Sequence, residues 1–291
     1  SQASDAEDDD NDDEAEERPV RTIHSRAVRA ERRMEGEIRQ AELAETERGP
    51  WRYALCGAER AFVARRAQPH GAIGRMTLDE LVQITRGAEV SKDAPDPSPT
   101  PIPNGVKLLR GSDVAPFHAQ AGRAWLPASA FKHAPDAWRG PKLVLPRAGA
   151  QTSVALDDAG GVPLAALIAL LPQTDDPAGR ATLLFVLALL NAAPLRAYLA
   201  LTQTGYQLAR PTIDLDALRA LPIALGPADT RQRLSSLANE LTRHYAAHGT
   251  ATDDTTHYPV AQRLTATITM EVNALYSLTP EDQAVVDRWQ R

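Results

Sequence analysis

Two apolar runs of ten residues each, Val162–Leu171 and Ala181–Leu190, constrain the fold of this chain more than any other feature. Each is about half as long as the roughly 20 residues that a membrane-spanning helix requires, so both are expected inside a globular core. Aromatic residues make up only 5% of the 291 residues, and such a core therefore depends on Leu, Ala and Val. The second run is expected to be a helix that ends at Asn191.

The last quarter of the chain has the periodicity of amphipathic helices. In Thr230–Ala247, apolar residues recur every three or four positions, which predicts one buried stripe made of Leu234, Leu237, Leu241 and Tyr245. Arg263–Ser277 repeats the pattern with Ile268, Val272, Leu275 and Tyr276 facing inward. A third helix is expected from Thr279, because a Thr cap, a Pro in the first turn and two acidic residues match helix N-termini.

The middle of the chain favours strands and loops instead. Asp93–Gly105 contains five prolines in thirteen residues, which predicts an extended loop. Val106–Val114 is then expected to be a strand followed by a turn at Gly111, and Lys142–Leu145 with Thr152–Leu156 a hairpin. Strand and helix patterns that occupy separate parts of a chain indicate an α+β fold. We therefore expect a small β-rich domain with packed helices and a helical C-terminal segment.

The first residues differ sharply in composition from the rest. Ser1–Glu17 holds ten Asp or Glu and no Lys or Arg, so it is expected to be disordered. It could mimic nucleic acid on a basic groove, bind a partner, or serve as a solvated linker. Without it, 28 acidic residues face 32 basic ones, which permits nucleic-acid binding without requiring it. Arg18–Arg48 interleaves Arg and Glu and predicts a charged helix or linker.

Several chemistries lack their motifs in this sequence. There is no Gly-x-Gly loop, no Gly-Lys-Ser/Thr phosphate loop, no Pro-Pro dipeptide of the kind with which amino-methyltransferases hold a flipped base, and no Asp/Glu-x-Lys metal motif. His244 and His248 stand four apart in a helix end, where cationic side chains also suit the helix dipole, and no metal site is expected. A single Cys56 and the absence of a secretory signal favour the cytoplasm. We expect no catalytic residue in these 291 residues.

Four stretches, taken in order, resemble a known family. They are Leu78–Gly87 with Glu89–Lys92, Leu108–Val114, Leu187–Asn191 leading to Leu218–Ile223, and Val272–Glu281. Together they resemble the TaqI-like C-terminal specificity domain, the target recognition part of adenine-specific DNA methyltransferases and fused restriction-modification enzymes. The third stretch is also similar to the specificity subunits of type I restriction systems. The catalytic half of those enzymes is not among these residues.

The resemblance implies a function and a division of the chain. It implies a sequence-specific module for double-stranded DNA, which positions an adenine-specific methyltransferase active site in another domain or chain. That partner, not this chain, would hold S-adenosylmethionine, and no membrane is involved. The expected divisions are an acidic tail to residue 17, a charged segment over 18–49, a recognition core over 50–225 and a helical segment over 226–291. The alternatives are a protein–protein interaction subunit of a defence complex, without base readout, and a nuclease-associated domain.

The candidate DNA contacts are basic residues and two polar residues near predicted turns. Arg86 and Arg110 each precede a glycine at a strand end, and arginine binds phosphates or guanine. Lys142 and Arg147 flank an apolar strand, and Trp125 to Arg139 forms an aromatic–basic segment. Gln203 and Tyr206 follow the apolar helix, where related subunits place a loop. The complete set of candidates is Arg86, Lys92, Arg110, Lys132, Arg139, Lys142, Arg147, Gln203 and Tyr206.

Overall fold

The computed structural model describes residues 22–29, 32–39, 57–67, 74–120, 122–133, 135–148, 153–202, 212–250 and 256–290. The predictions for Ser1–Glu17, Gln203 and Tyr206 lie outside the described residues.

The described part of the chain has an α+β fold, as the sequence predicts. Its strands are β1 (Thr22–Arg29), β2 (Arg32–Arg39), β3 (Arg75–Thr77), β4 (Val82–Arg86), β5 (Gly105–Leu109), β6 (Val114–Ala115), β7 (Phe117–Ala119), β8 (Trp125–Pro127), β9 (Lys142–Pro146), β10 (Ala155–Asp157), β11 (Val162–Pro163), β12 (Leu167–Pro172) and β13 (Pro222–Ala224). Its helices are α1 (Gly57–Ala67), α2 (Leu78–Leu81), α3 (Pro177–Asn191), α4 (Ala193–Thr202), α5 (Leu215–Arg219), α6 (Ala228–His248), α7 (Tyr258–Leu275) and α8 (Pro280–Gln290).

The largest sheet has six strands in the order β4-β12-β9-β10-β7-β6. Strand β12 is antiparallel to both β4 and β9, and β9 is antiparallel to β10, as predicted for the hairpin. A second sheet, in the order β11-β5-β8, adjoins the first through the turn that joins β11 to β12. The first apolar run is therefore not one element, because the turn divides it between two sheets.

The helices cover one face of the six-stranded sheet. Helix α3 begins where the Asp176 carboxylate accepts the N–H of Gly179 at 2.8 Å, with Pro177 as the first helical residue. It ends at Asn191, whose side-chain amide donates to the Val154 carbonyl at 2.8 Å and whose side-chain oxygen accepts the Val154 N–H at 3.1 Å. These two bonds fix the end of the helix against the start of β10.

The main core lies between that sheet face and the helices. It includes the buried side of α3 and the inward stripes of α6 and α7, where Leu234, Leu241, Ile268 and Val272 are at most 1% exposed. The predicted stripes of both helices are confirmed. Residues on both sides of the expected boundary at residue 225 contribute to this one core.

None of the described helices is by itself long and apolar enough to cross a membrane. Helices α3 and α4, bent by 71° at their junction, pass that test together by length and composition.

The predicted charged helix over residues 18–49 is wrong for the residues that the structure describes. Strands β1 and β2 form an antiparallel pair in which Arg26 stands opposite Glu35. Charge pairing does not account for these strands, because the same register sets Arg29 opposite Arg32. Gly36 disfavours a helix at this position, and Thr22, Ile23 and Val28 are β-branched residues that favour strands.

Candidate nucleic-acid interface

Three strand ends meet at the turn Leu164–Leu167, between β11 and β12. Four backbone hydrogen bonds hold this meeting point together. In each bond the N–H of the first residue donates to the carbonyl oxygen of the second. The pairs are Ala88 to Pro163 (2.7 Å), Leu164 to Leu109 (3.0 Å), Arg147 to Ala166 (2.9 Å) and Gly87 to Leu167 (2.9 Å). The ends of β4, β5 and β9 are thereby fixed around one short turn. Backbone bonds of this kind give the residues at those ends defined positions.

Each of the three strand ends carries an exposed arginine. Arg86 is the last residue of β4, Arg110 follows β5, and Arg147 follows β9. Strands β4 and β9 lie on either side of β12, and Arg147 is two residues beyond the level of Arg86, so their backbones are about 12 Å apart. We call Arg86, Arg110 and Arg147 the arginine junction. The sequence predicted all three as DNA contacts, and the fold brings them to the same turn.

Gly87 shows why one of these arginines is followed by glycine. A side chain at Gly87 would place its first carbon 2.1 Å from the carbonyl oxygen of Leu164, which no residue tolerates. The glycine therefore permits the close backbone approach that holds Arg86 at the turn. Gly111 differs, because a side-chain carbon there would meet no atom within 4 Å. The two Arg-Gly pairs look alike in sequence, but only the first needs its glycine for packing.

The guanidinium groups of the arginine junction are available to an outside anion. Within the described part of the chain, no carboxylate forms an ion pair with Arg86, Arg110 or Arg147. The carboxylate of Glu89 lies close to Arg86 but bonds to Lys132, and that bond lowers the pKa of Glu89, with the charges of Lys132, Arg86 and His133 acting in the same direction. Three exposed cations that form no ion pair with a described carboxylate are suited to bind a polyanion.

Lys142 does not lie where the sequence analysis expected it. Its side chain is fully buried and forms an ion pair of 2.6 Å with Asp157, and its ammonium also donates to the carbonyl oxygens of Trp138 and Gly140. Burial lowers the pKa of Lys142, and the charge of Asp157 opposes this effect. A cation enclosed in this way cannot reach a DNA phosphate. The sequence suggested a solvated strand end because Lys142 is the first residue of an apolar strand.

The other candidates lie at the surface with different partners. Lys92 is exposed in the proline-rich loop, and Arg139 is exposed but paired with Asp136 at 2.8 Å. Lys132 is half-exposed in its pair with Glu89. Trp138 packs against the smaller core formed by β5, β8 and β11, so the aromatic–basic segment is partly a packing segment.

Arg123 is an exposed arginine that the sequence analysis missed. It follows Gly122, where a side-chain carbon would come within 2.0 Å of the Leu108 carbonyl oxygen. The signal for it in the sequence is a glycine before an arginine near an apolar strand, and such pairs are common. It has no ion pair with any of the described residues.

Three histidines also approach one another where α6 ends and α7 begins. The rings of His248 and His257 stack at 3.6 Å with 9° between their planes, and His244 lies 4.9 Å from the ring of His248. Stacked rings direct their nitrogens along parallel planes rather than to one point, and Nε2 of His244 is 3.0 Å from the His257 carbonyl oxygen. Among the described residues, no group of three or more His, Cys, Asp or Glu is arranged to hold a metal ion.

Comparisons with solved structures give distant matches, two of which are described here. No protein-family model matches the chain, and no curated protein matches it. An HsdS subunit from Thermoanaerobacter tengcongensis is similar with 16% identity and a TM-score of 0.39, over 75% of this chain and 50% of that one. A structure that concerns complex assembly and conformational transition of the type I restriction–modification system is similar with 15% identity and a TM-score of 0.39. The match covers 80% of this chain and 53% of that one. The chain spans about half the length of these proteins, and its function is argued below from its own residues.

Proposed function

We propose that this chain is a sequence-specific recognition module for double-stranded DNA. It positions an adenine-specific methyltransferase active site that another domain or chain supplies, in a restriction-modification or related defence system. The observation that carries the proposal is the arginine junction, in which three exposed arginines without described ion pairs surround one turn. The four sequence stretches that resemble a target recognition domain support the choice of DNA over other polyanions.

The spacing of the arginine junction suits a DNA backbone. Successive phosphates along one strand lie about 3.4 Å apart in projection on the helix axis, so arginines about 12 Å apart can reach separate phosphates of the same groove edge. Guanidinium groups also bind the O6 and N7 of guanine in two parallel hydrogen bonds. Because phosphate contacts outnumber base contacts in such interfaces, at least one of Arg86 and Arg110 is expected to bind phosphate.

The chemistry of methyl transfer belongs to the partner in this proposal. S-adenosylmethionine and the extruded adenine would bind to the catalytic domain, because this sequence has neither a donor loop nor the base-holding tetrapeptide. The purified chain mixed with duplex DNA and labelled S-adenosylmethionine is expected to transfer no methyl group. Stoichiometric labelling of the DNA by this chain alone would place the active site here and contradict the proposal.

An interaction subunit without base readout is the alternative, and one observation bears on it. Such a subunit needs a large exposed apolar patch. In the described part of the chain the exposed large hydrophobic residues are Tyr258 and Met270, at 37% and 64%. Both lie on α7, away from any other exposed large apolar side chain that the structure describes. This distribution favours the DNA-binding proposal.

The test measures DNA affinity of single variants at several salt concentrations. Arg86→Ala, Arg110→Ala and Arg147→Ala are compared with the full chain on a cognate duplex and on random duplexes, by fluorescence anisotropy. A lost phosphate contact lowers the slope of log affinity against log salt by about 0.9 and weakens all duplexes equally. A lost guanine contact costs about 1–3 kcal/mol on the duplex with the right base alone.

Arg263→Ala is the matched control. Arg263 is an exposed arginine on α7 with no ion pair to a described residue, but it lies on a helix rather than at the arginine junction. Its replacement is expected to leave the affinity and the salt slope unchanged. If all three junction variants bind with the affinity and slope of the unaltered chain, the arginine junction is not the interface. A cognate target is found first by selection from random duplexes, with the catalytic partner added where the chain alone binds weakly.

A further inference from the structure

Arg123 follows Gly122, where its loop crosses the end of β5 two residues before Arg110. The position of a side-chain carbon on Gly122 would be 2.0 Å from the Leu108 carbonyl oxygen and 3.3 Å from a carboxylate oxygen of Asp113. The segment that contains Gly122 therefore touches the end of β5 backbone to backbone. Any other residue at position 122 would push the two loops, and with them the two arginines, apart.

Two backbone hydrogen bonds hold this crossing, one on each side, and a third orders the loop after β5. The N–H of Leu108 donates to the Ala124 carbonyl at 2.9 Å, and the N–H of Gln120 donates to the Asp113 carbonyl at 2.7 Å. The Asp113 carboxylate accepts the N–H of Arg110 at 2.8 Å. Arg110 and Arg123 thus leave the two loops from neighbouring, fixed backbone positions. Both side chains are exposed.

The nearest carboxylate does not neutralise either guanidinium group. Asp113 directs one oxygen to the backbone of Arg110, and neither Arg110 nor Arg123 forms an ion pair with a described residue. Two like charges on loops that meet backbone to backbone are both stabilised when one anion binds to them. Arg139, another exposed arginine of this region, differs because it is paired with Asp136.

We infer that Arg110 and Arg123 form a phosphate-binding pair, in which Arg123 is an additional contact to the DNA backbone. The inference rests on the proposed function and adds a residue and a role to it. The pair binds the phosphodiester backbone rather than a base, because two arginines at one loop crossing provide charge from two directions. A single arginine that reads guanine needs its planar group aligned with one base edge.

The experiment uses the full chain with Arg123→Ala, Arg123→Lys, Arg110→Ala and the double Ala variant. For Arg123→Ala we expect an unchanged melting temperature, equal loss of affinity on unrelated duplexes, and a salt slope lower by about 0.9. Arg123→Lys is expected to keep the slope, because a phosphate contact requires the charge and not the planar group. Arg263→Ala serves as the control with no effect.

Each outcome decides the inference. Affinity and slope that remain unchanged in Arg123→Ala, while Arg86→Ala or Arg110→Ala lowers them, overturn the role of Arg123 and leave the proposed function intact. Arg123→Lys could instead lose as much affinity as Arg123→Ala, and only on one duplex sequence. That result overturns phosphate binding in favour of base readout. No DNA binding by the unaltered chain at any salt concentration, even with its catalytic partner, overturns both the inference and the proposed function.

Discussion

The arginines at the strand ends and the arginines of the helices serve different purposes in this molecule. Arg86 at the end of β4 and the loop residues Arg110, Arg123 and Arg147 are exposed and form no ion pair with a described residue. On the helices, by contrast, several arginines bind carboxylates of another helix, and the most buried example is Arg66 of α1 with Asp282 of α8. The same residue type therefore joins elements in one region and stays available for an outside anion in the other.

The helical region shows what happens when arginine is used internally. Arg66 and Asp282 are 3% and 0% exposed, and Arg65 also binds Asp282. On the same helix pair, the fully buried Glu59 of α1 accepts a hydrogen bond of 3.0 Å from the indole N–H of Trp289. These contacts connect residues more than 200 positions apart, so they fix α1 against the C-terminal helix. A buried pair of this kind has no role at the surface, and its loss is expected to change stability alone.

Asp282→Asn is expected to have the largest effect on stability. The substitution is nearly isosteric but leaves the charge of Arg66 buried without a counter-charge, which typically costs about 3–5 kcal/mol. Chemical denaturation measures this as a lower free energy of unfolding. Glu240→Gln, on the exposed side of α6, is the control with no change. The DNA salt slope of the folded variant should equal that of the unaltered chain, and a reduced slope would break the distinction between the two regions.

Lys142→Met tests the same distinction inside the sheet region. The buried Asp157 would lose its counter-ion, and the expected cost is about 3–5 kcal/mol, toward the lower end because Asp157 still accepts the N–H groups of Ala159 and Gly161. Adding Asp157→Asn removes the unpaired charge and should recover part of the loss. A DNA contact would behave in the opposite way, with normal stability and a lower salt slope, and that result would restore Lys142 as an interface residue.

Sequence patterns predicted α3, α6, α7 and α8, because these helices carry apolar runs, apolar stripes or a recognisable N-terminal cap, whereas α1 and α4 were not predicted. The extents of α3, α6 and α7, and the cap of α8, all follow from residues within a few turns of one another. Sequence patterns predicted the arginine junction only in part. Arg86, Arg110 and Arg147 each precede or follow a recognisable strand, but the hydrogen bonds that gather them come from the Leu164–Leu167 turn, up to about 80 residues away in sequence.

The errors share a physical reason, which is that a local pattern does not reveal its distant partner. Lys142 looked like a solvated strand end because its partner, Asp157, stands on the neighbouring strand. The interleaved Arg and Glu of residues 18–49 suited i,i+4 pairs on a helix, but Thr22–Arg29 and Arg32–Arg39 form an antiparallel strand pair. Arg123 was missed because the contact of its loop with the end of β5 depends on the approach of Gly122 to Leu108.

Deleting Ser1–Glu17 is expected to change DNA affinity modestly and stability hardly at all. Ten like charges in seventeen residues repel DNA phosphates or compete with them for the arginine junction, so the shortened chain should bind random duplexes more tightly. The difference should fade as salt shortens the range of the electrostatic interaction. Affinity titrations at low and high salt, with a melting curve for each protein, measure both effects. A melting temperature lower by many degrees would show that the acidic segment is part of the fold.

The smallest effect is expected for Arg233→Ala, which removes an exposed ion pair between α6 and α7. Arg233 lies 2.9 Å from Glu271, and the two side chains are 56% and 20% exposed. Water and salt screen such a pair, so its loss should lower the free energy of unfolding by about 0.2–1 kcal/mol. High salt should reduce that difference further, because the charges are near the surface.

Arg233 lies on a helix and has a carboxylate partner, and its replacement should therefore leave DNA affinity and the salt slope unchanged. A slope reduced as much as in the strand-end variants would mean that the helices also contact DNA, and the division of roles between the two sets of arginines would not hold.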